Sequence, residues 1–185
     1  EVAVPLSGRT VAGSARRTGT RVRVWPNARY FDTATVPLDE LERLLRSKAV
    51  LLPGSEVVLR VEKSGREQRW HYEGGLQEYL ASALPGEPLV PPFEAESFVS
   101  ADDANFAEGE GANWVVAWTE DGAPLRESFV NLIPTPAGGT HEAGLREGVF
   151  AAVRAFIDAH NLLPKGVKLL PEDAFARASF VLSAK

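Results

Sequence analysis

Cysteine is absent from the sequence, which excludes disulfide cross-links and thiolate zinc sites. No stretch approaches the roughly 18–20 consecutive apolar residues that a membrane-crossing helix needs. No secretory leader is visible, so a cytoplasmic location is expected and no membrane partner. The three histidines, His71, His141 and His160, are too dispersed for a paired-histidine metal motif. Ser128, Ser179 and Ser183 have no histidine and aspartate at a spacing that suggests nucleophilic catalysis. The glycine spacing and Lys-Ser/Thr of a Walker loop are also missing. No independent catalytic centre is expected.

What is present suits one folded domain: 185 residues, 44% hydrophobic, enough for a sizeable core. The formal net charge of -5 argues against a generic nucleic-acid coat protein. The charge is unevenly spread. Arg9, Arg16, Arg17, Arg21, Arg23 and Arg29 crowd the N-terminal part, while Glu94, Glu96, Asp102, Asp103, Glu108 and Glu110 make the middle acidic. The acidic run reads as a solvated face. Alternation in Arg21-Val-Arg-Val-Trp25 puts Arg21 and Arg23 on one side of an expected strand. Either solvation or contact with DNA phosphates, without base reading, accounts for the pair.

Strands are expected near residues 2–5, 20–25, 56–62, 68–72, 114–119, 128–133 and 179–183. Pro37 opens a helix in which Leu38, Leu41, Leu44 and Leu45 share a face, with Asp39/Arg43 and Glu42/Arg46 as i,i+4 pairs. Leu76, Tyr79, Leu80, Ala83 and Leu84 mark a second helix, and residues 172–178 a short one near the end. Lys63-Ser-Gly-Arg66 is a hairpin turn. The proline-dense run at 84–92 reads as a rigid connection inside one domain. Trp70, Trp114 and Trp118 sit at strand positions with apolar neighbours, which favours core packing over base stacking. The pattern implies an α/β two-layer sandwich, a mixed sheet with helices on one face.

The most informative stretch runs from Ser128 to Arg146. Ser128-Phe-Val-Asn-Leu-Ile-Pro134 predicts a strand stopping at about Ile133, because Pro134 has no amide to donate. Gly138 and Gly139 permit positive φ, and Thr140 is a suitable N-cap for the helix that follows. Glu142 in the first turn suits the positive end of the helix dipole. Leu145, Val149, Ala152, Val153 and Phe156 then recur at helical spacing. Arg146 lies about 100° round from Leu145, beside the glycine turn. His141 reads as a turn residue that orders the loop. The turn itself is a tight strand-to-helix connection or an anion site on the free helix amides.

The wording Gly138-Gly-Thr-His followed by Gly144-Leu-Arg resembles the transducer domain in the B subunit of bacterial type IIA topoisomerases. Val130-Asn-Leu-Ile-Pro-Thr-Pro136 is more similar to the topoisomerase IV branch than to gyrase. Thr18-Gly-Thr-Arg-Val-Arg-Val-Trp-Pro26, Trp70-His-Tyr-Glu-Gly-Gly-Leu-Gln-Glu-Tyr-Leu80 and Asn161-Leu-Leu-Pro-Lys-Gly-Val-Lys168 resemble further family segments in the same order, across nearly the whole chain. The resemblance implies the transducer fold of the GHKL ATPases, with a left-handed βαβ crossover. It implies a domain over 1–185 that relays ATP binding to gate movement, with 1–17 as an extension from a preceding ATPase domain.

In the family a Gln-Thr-Lys loop places its lysine on the γ-phosphate. That tripeptide does not occur here, and Lys185 matches a lysine of the preceding strand. With no methionine anywhere, the sequence is read as a fragment. ATP and Mg²⁺ are expected cofactors of the intact enzyme and not of this piece. The expected partners are the A subunit of topoisomerase IV, double-stranded DNA and a second copy through the ATPase domain. Arg146 matches an arginine lining the cavity through which the transported duplex passes. Alternatives are a gyrase transducer, a small-molecule kinase of similar fold binding nucleotide at Gly138-Gly139, and an interaction module using the acidic segment.

Overall fold

A computed structural model describes residues 19–185 except Ala34 and Ala104. The chain divides into two units, Glu1–Val36 and Pro37–Lys185. The strand expected at 2–5, the extension at 1–17 and Arg9, Arg16 and Arg17 lie outside the described residues.

In the first unit, residues 20–25 form no strand. Val22, Val24 and Trp25 are more than 70% exposed, and no neighbouring strand pairs with them among the described residues. Alternation alone does not make a strand, because a strand's stability comes from cross-strand partners. The contacts of this stretch among the described residues are local: Arg23 lies over the Trp25 ring at 5.6 Å, and the Asn27 side chain accepts from the Arg29 amide at 2.9 Å.

The second unit opens with α1, Leu38–Leu51, whose first helical bond runs from the Leu41 amide to the Pro37 carbonyl. The expected pairing of Glu42 with Arg46 gives way to longer-range partners. Glu42 takes Arg66 at 2.9 Å, and Arg46 donates to the Tyr72 hydroxyl at 3.0 Å. Arg66 opens and Tyr72 directly follows the second strand of the hairpin that α1 covers: β1, Glu56–Val61, and β2, Arg66–His71, pair antiparallel and are closed at residues 62–65. The next helix, α2 at Gly75–Ala83, buries Leu76, Tyr79 and Leu80.

Five strands make the main sheet, in the order β3-β4-β7-β5-β6. These are Phe93–Phe98 (β3), Gly111–Trp118 (β4), Arg126–Val130 (β5), Ile133–Pro134 (β6) and Ala178–Ala184 (β7). β7 runs antiparallel to β4 and parallel to β5, so the sheet is mixed, as expected. The parallel pair β5 and β7 is joined through two helices, α3 at Thr140–Ala159 and α4 at Pro171–Phe175.

The helices are not confined to one face. Alternate residues of the central strands enter two separate cores, because successive strand side chains point to opposite sides. Val115, Ala117, Phe129 and Val181 pack with Val50, Leu76, Tyr79 and Leu80 of α1 and α2. Val116, Phe180 and Leu182 pack with Leu145 of α3 and Phe175 of α4. The sequence pattern of β4 and β7, apolar on both sides, is the signature of a sheet covered twice.

One strand was not expected and another is bounded differently. β3 falls in the acidic stretch, where Glu94 and Glu96 alternate on an exposed edge; charge there suits a strand that must not pair further. Residues 128–133 are not one strand. Asn131 and Leu132 both take positive φ, 49° and 66°, and turn the chain so that Ile133 and Pro134 pair back on Val130 and Phe129. This is a two-residue hairpin whose geometry suits the right-handed strand twist. The α1 residue Lys48 holds it by donating to the Leu132 carbonyl.

Candidate functional site

The segment leaving this hairpin builds a compact polar turn on the α3 and α4 side of the sheet. Ser128 is buried in β5, and its hydroxyl lies 2.8 Å from that of Thr135. Thr135 in turn lies 3.1 Å from the His141 ring nitrogen Nε2. The Thr135 carbonyl accepts from the Gly138 amide at 2.8 Å, which closes the loop. Gly138 takes φ +68°, and a Cβ there would come within 2.9 Å of a Glu142 carboxylate oxygen. His141 folds over Gly139 just as closely.

Thr140 is not the cap that the sequence suggested. The N-cap is Gly139, in extended backbone, and no side chain caps the helix. Thr140 is the first helical residue, and its side chain is exposed. The loop is ordered instead from within, by the Thr135–His141 contact.

Arg146 stands in the second turn of α3. Its guanidinium carbon lies 5.0 Å from the centre of the Phe175 ring, and its Nη1 lies 4.0 Å from Glu142 Oε1. The arginine side chain is 34% exposed. Among the described residues no group accepts a hydrogen bond from it at hydrogen-bonding distance. A guanidinium seated on an aromatic face has its N–H edges left for an anion. Around it the helix is low: Ala143, Gly144, Gly148 and Ala151 are exposed and short.

Phe175 is itself fixed from three sides. It is buried in the α3–α4 core, its carbonyl accepts from Arg126 at 2.7 Å, and the neighbouring Ala174 carbonyl accepts from the Trp118 indole at 2.7 Å. Sequence reading missed this platform, because a five-residue helix gives too little periodicity to place a ring. The α3 stripe is Leu145, Val149, Val153 and Ile157, with Phe150 beside it. Ala152 and Phe156 face outward. Thus Gly138, Gly139, Thr140, His141 and Arg146 gather in one place. Arg21 and Arg23 belong to the first unit and are exposed there.

The opposite face of the sheet holds a second polar cluster that the sequence did not announce. The Tyr79 hydroxyl lies 3.0 Å from both Glu127 carboxylate oxygens, Arg46 lies over the Tyr79 ring at 4.8 Å, and Tyr72 meets that ring edge-on. Burial, then the Glu127 charge and hydrogen bond, push the Tyr79 phenol well above its ordinary range. It stays protonated and ties α2 to β5. Trp70 is buried, and Trp114 and Trp118 pack in the α3–α4 core. Among the described residues no group of three or more His, Asp and Glu could hold a metal, and no helix is long and apolar enough to cross a membrane.

Comparison with known proteins agrees with this architecture. The family model described as DNA gyrase B matches residues 75–185. The chain is 44% identical over 171 residues to the B subunit of DNA topoisomerase 4 from Pseudomonas aeruginosa, covering 92% of this chain and 26% of that protein. It is 28% identical to the B subunit of DNA gyrase from Campylobacter jejuni, over 95% of this chain and 22% of that one. The chain thus spans about a quarter of the length of these relatives. Among solved structures, the topoisomerase IV ATP-binding domain of Francisella tularensis superposes with a TM-score of 0.65 at 34% identity, covering 86% of this chain and 41% of that one. The glycine turn, the α3 helix with Arg146, the sheet and the sequence likeness lead to one assignment: the chain belongs to the DNA gyrase B family.

Proposed function

We propose that this chain is the transducer part of a topoisomerase IV B subunit, relaying ATP binding and hydrolysis to the gate movement that passes one DNA duplex through another. The higher identity to the topoisomerase 4 relative than to the Campylobacter gyrase relative supports that branch. The intact enzyme uses ATP and Mg²⁺, works with the A subunit on double-stranded DNA in the cytoplasm, and dimerises through an ATPase domain. The domain's own task is mechanical. A rigid sheet, clamped on both faces by helices, transmits a rotation without dissipating it.

Arg146 is the residue that meets the transported duplex. The observation behind this reading is its guanidinium, partly exposed, seated on Phe175 and without a hydrogen-bond acceptor among the described residues. Such a cation attracts phosphates without sequence preference and exchanges with counterions as the duplex slides. Arg21 and Arg23 are further cations that a duplex could meet, at exposed positions of the first unit.

Gly138, Gly139, Thr140 and His141 serve as a structural turn that sets where α3 begins. The closely packed turn favours this over a nucleotide cradle, because Glu142 and His141 fill the space over the two glycines. Calorimetric titration with a non-hydrolysable ATP analogue and Mg²⁺ tests the assignment. The isolated chain is expected to give no heat while the full-length protein binds. Binding by the isolated chain would make the turn a nucleotide site and favour a small-molecule kinase of similar fold.

A further inference from the structure

The charge around Arg146 runs against a simple phosphate-binding face. Arg146 is the one Lys or Arg in residues 140–153, and Glu142 and Glu147 share that stretch. Glu142 is the carboxylate that reaches it, at 4.0 Å. That separation is a charge contact and too long for a hydrogen bond. The same carboxylate is held over the glycine turn, close to Gly138, and its side chain is 24% exposed. The guanidinium carbon sits over the Phe175 ring, 5.0 Å from its centre. A phosphate takes its hydrogen bonds from the guanidinium N–H groups, and there the field of Glu142, 4.0 Å from Nη1, opposes it.

We propose that Glu142 is a resident counter-anion of Arg146, a specificity-determining carboxylate that a DNA phosphate must displace. The exchange is purely ionic: one carboxylate contact is given up for one phosphate contact. A duplex presents many phosphates and wins the exchange through its other contacts, whereas isolated anions at cellular salt do not. Glu142 thus keeps Arg146 oriented on Phe175 and unoccupied until DNA arrives. The proposal rests on the reading of Arg146 as the DNA-facing residue.

The test uses the full-length B subunit together with the A subunit, measuring DNA-stimulated ATP hydrolysis against DNA concentration at several salt concentrations. Glu142→Gln is expected to lower the half-saturating DNA concentration about two- to five-fold, the range typical of a partly exposed ion pair. The slope of log affinity against log salt should not change, since the number of phosphate contacts is the same. Arg146→Gln should reduce that slope by about one, and the double variant should match Arg146→Gln alone. Glu147→Gln, the same charge change at a neighbouring acidic position, should leave saturation near wild type. Glu142→Asp, which keeps the charge but shortens its reach, should fall between and serves if the amide variant misfolds.

Unchanged or weakened saturation in Glu142→Gln, with Arg146→Gln still impaired, would overturn the counter-anion role alone. A gain that persists without Arg146, or that Glu147→Gln reproduces, would also overturn it as a general charge effect. If Arg146→Gln behaves as wild type, the DNA-facing reading itself fails.

Discussion

The guanidinium of Arg146 lies 5.0 Å from the ring centre of Phe175, a residue far along the chain that is only 1% exposed. The cation is thereby set on a platform belonging to the core, and its position depends on how well that core is packed. Phe175→Leu is expected to cost about 1–2 kcal/mol from reshaped packing and the lost cation–π contact. Phe175→Ala should cost about 3–5 kcal/mol through the cavity it leaves. Chemical denaturation of the isolated chain measures both. A neutral result for the alanine variant would show that α4 is not part of the core.

Tyr79 is expected to be the most sensitive polar residue on the other face. It donates to Glu127 at 3.0 Å from a buried position. Tyr79→Phe removes the donor and leaves a half-buried carboxylate short of a partner, which should cost about 1.5–3 kcal/mol. Spectrophotometric titration should also find one tyrosine that resists ionisation well above the usual pH, and this tyrosine should vanish in Tyr79→Phe. Urea denaturation curves unchanged by the substitution would contradict the network.

Gly138 offers a test of the turn. At φ +68° a side chain is strained, and Gly138→Ala should cost about 1–2 kcal/mol. The close Glu142 oxygen adds little, because the end of a flexible side chain can swing aside. That swing would take Glu142 from Arg146. Thermal melting reports the strain, and a variant as stable as wild type would mean that the turn is not built as described.

His71 gives a pH dependence whose sign is fixed by its neighbours. Its Nδ1 lies 3.3 Å from the Ser55 carbonyl and its Nε2 lies 3.5 Å from Glu73. Both nitrogens face acceptors, so only the imidazolium satisfies the two at once. The Ser55 carbonyl first, and Glu73 second, raise its pKa above the ordinary value of 6.5. The small stabilisation this brings is fully present below pH about 6.5 and is lost as pH rises through the folded pKa. NMR titration should place His71, assigned by its loss in His71→Asn, above a histidine in an unfolded peptide. A value at or below that reference would remove the effect.

Much of this was legible from residue patterns. β1, α1, α2 and α3 follow from their apolar periods, and Gly138-Gly139 marks the start of α3 correctly. What the patterns could not give were features decided by distant partners. Residues 20–25 alternate like a strand yet have no strand beside them among the described residues. Asn131 and Leu132 look like strand interior, but the back-pairing of Ile133 on Val130 forces both into positive φ. Glu94 and Glu96 read as a solvated face, and they are exposed; the strand they sit on went unseen because an edge strand needs no apolar face. The second layer of helices was hidden for the opposite reason: a strand apolar on both sides gives no alternation to read. At the site, Arg146 was found by likeness to the family, whereas Phe175 and the Ser128–Thr135–His141 contacts emerge only when the chain folds back on itself.

Decatenation of interlinked DNA circles by the full-length B subunit carrying Arg146→Gln, reconstituted with the A subunit, tests the central claim most directly. The account predicts a several-fold loss of strand passage and of DNA-stimulated ATP hydrolysis, with thermal stability and DNA-independent hydrolysis at wild-type levels. Wild-type decatenation by a correctly folded variant would contradict it.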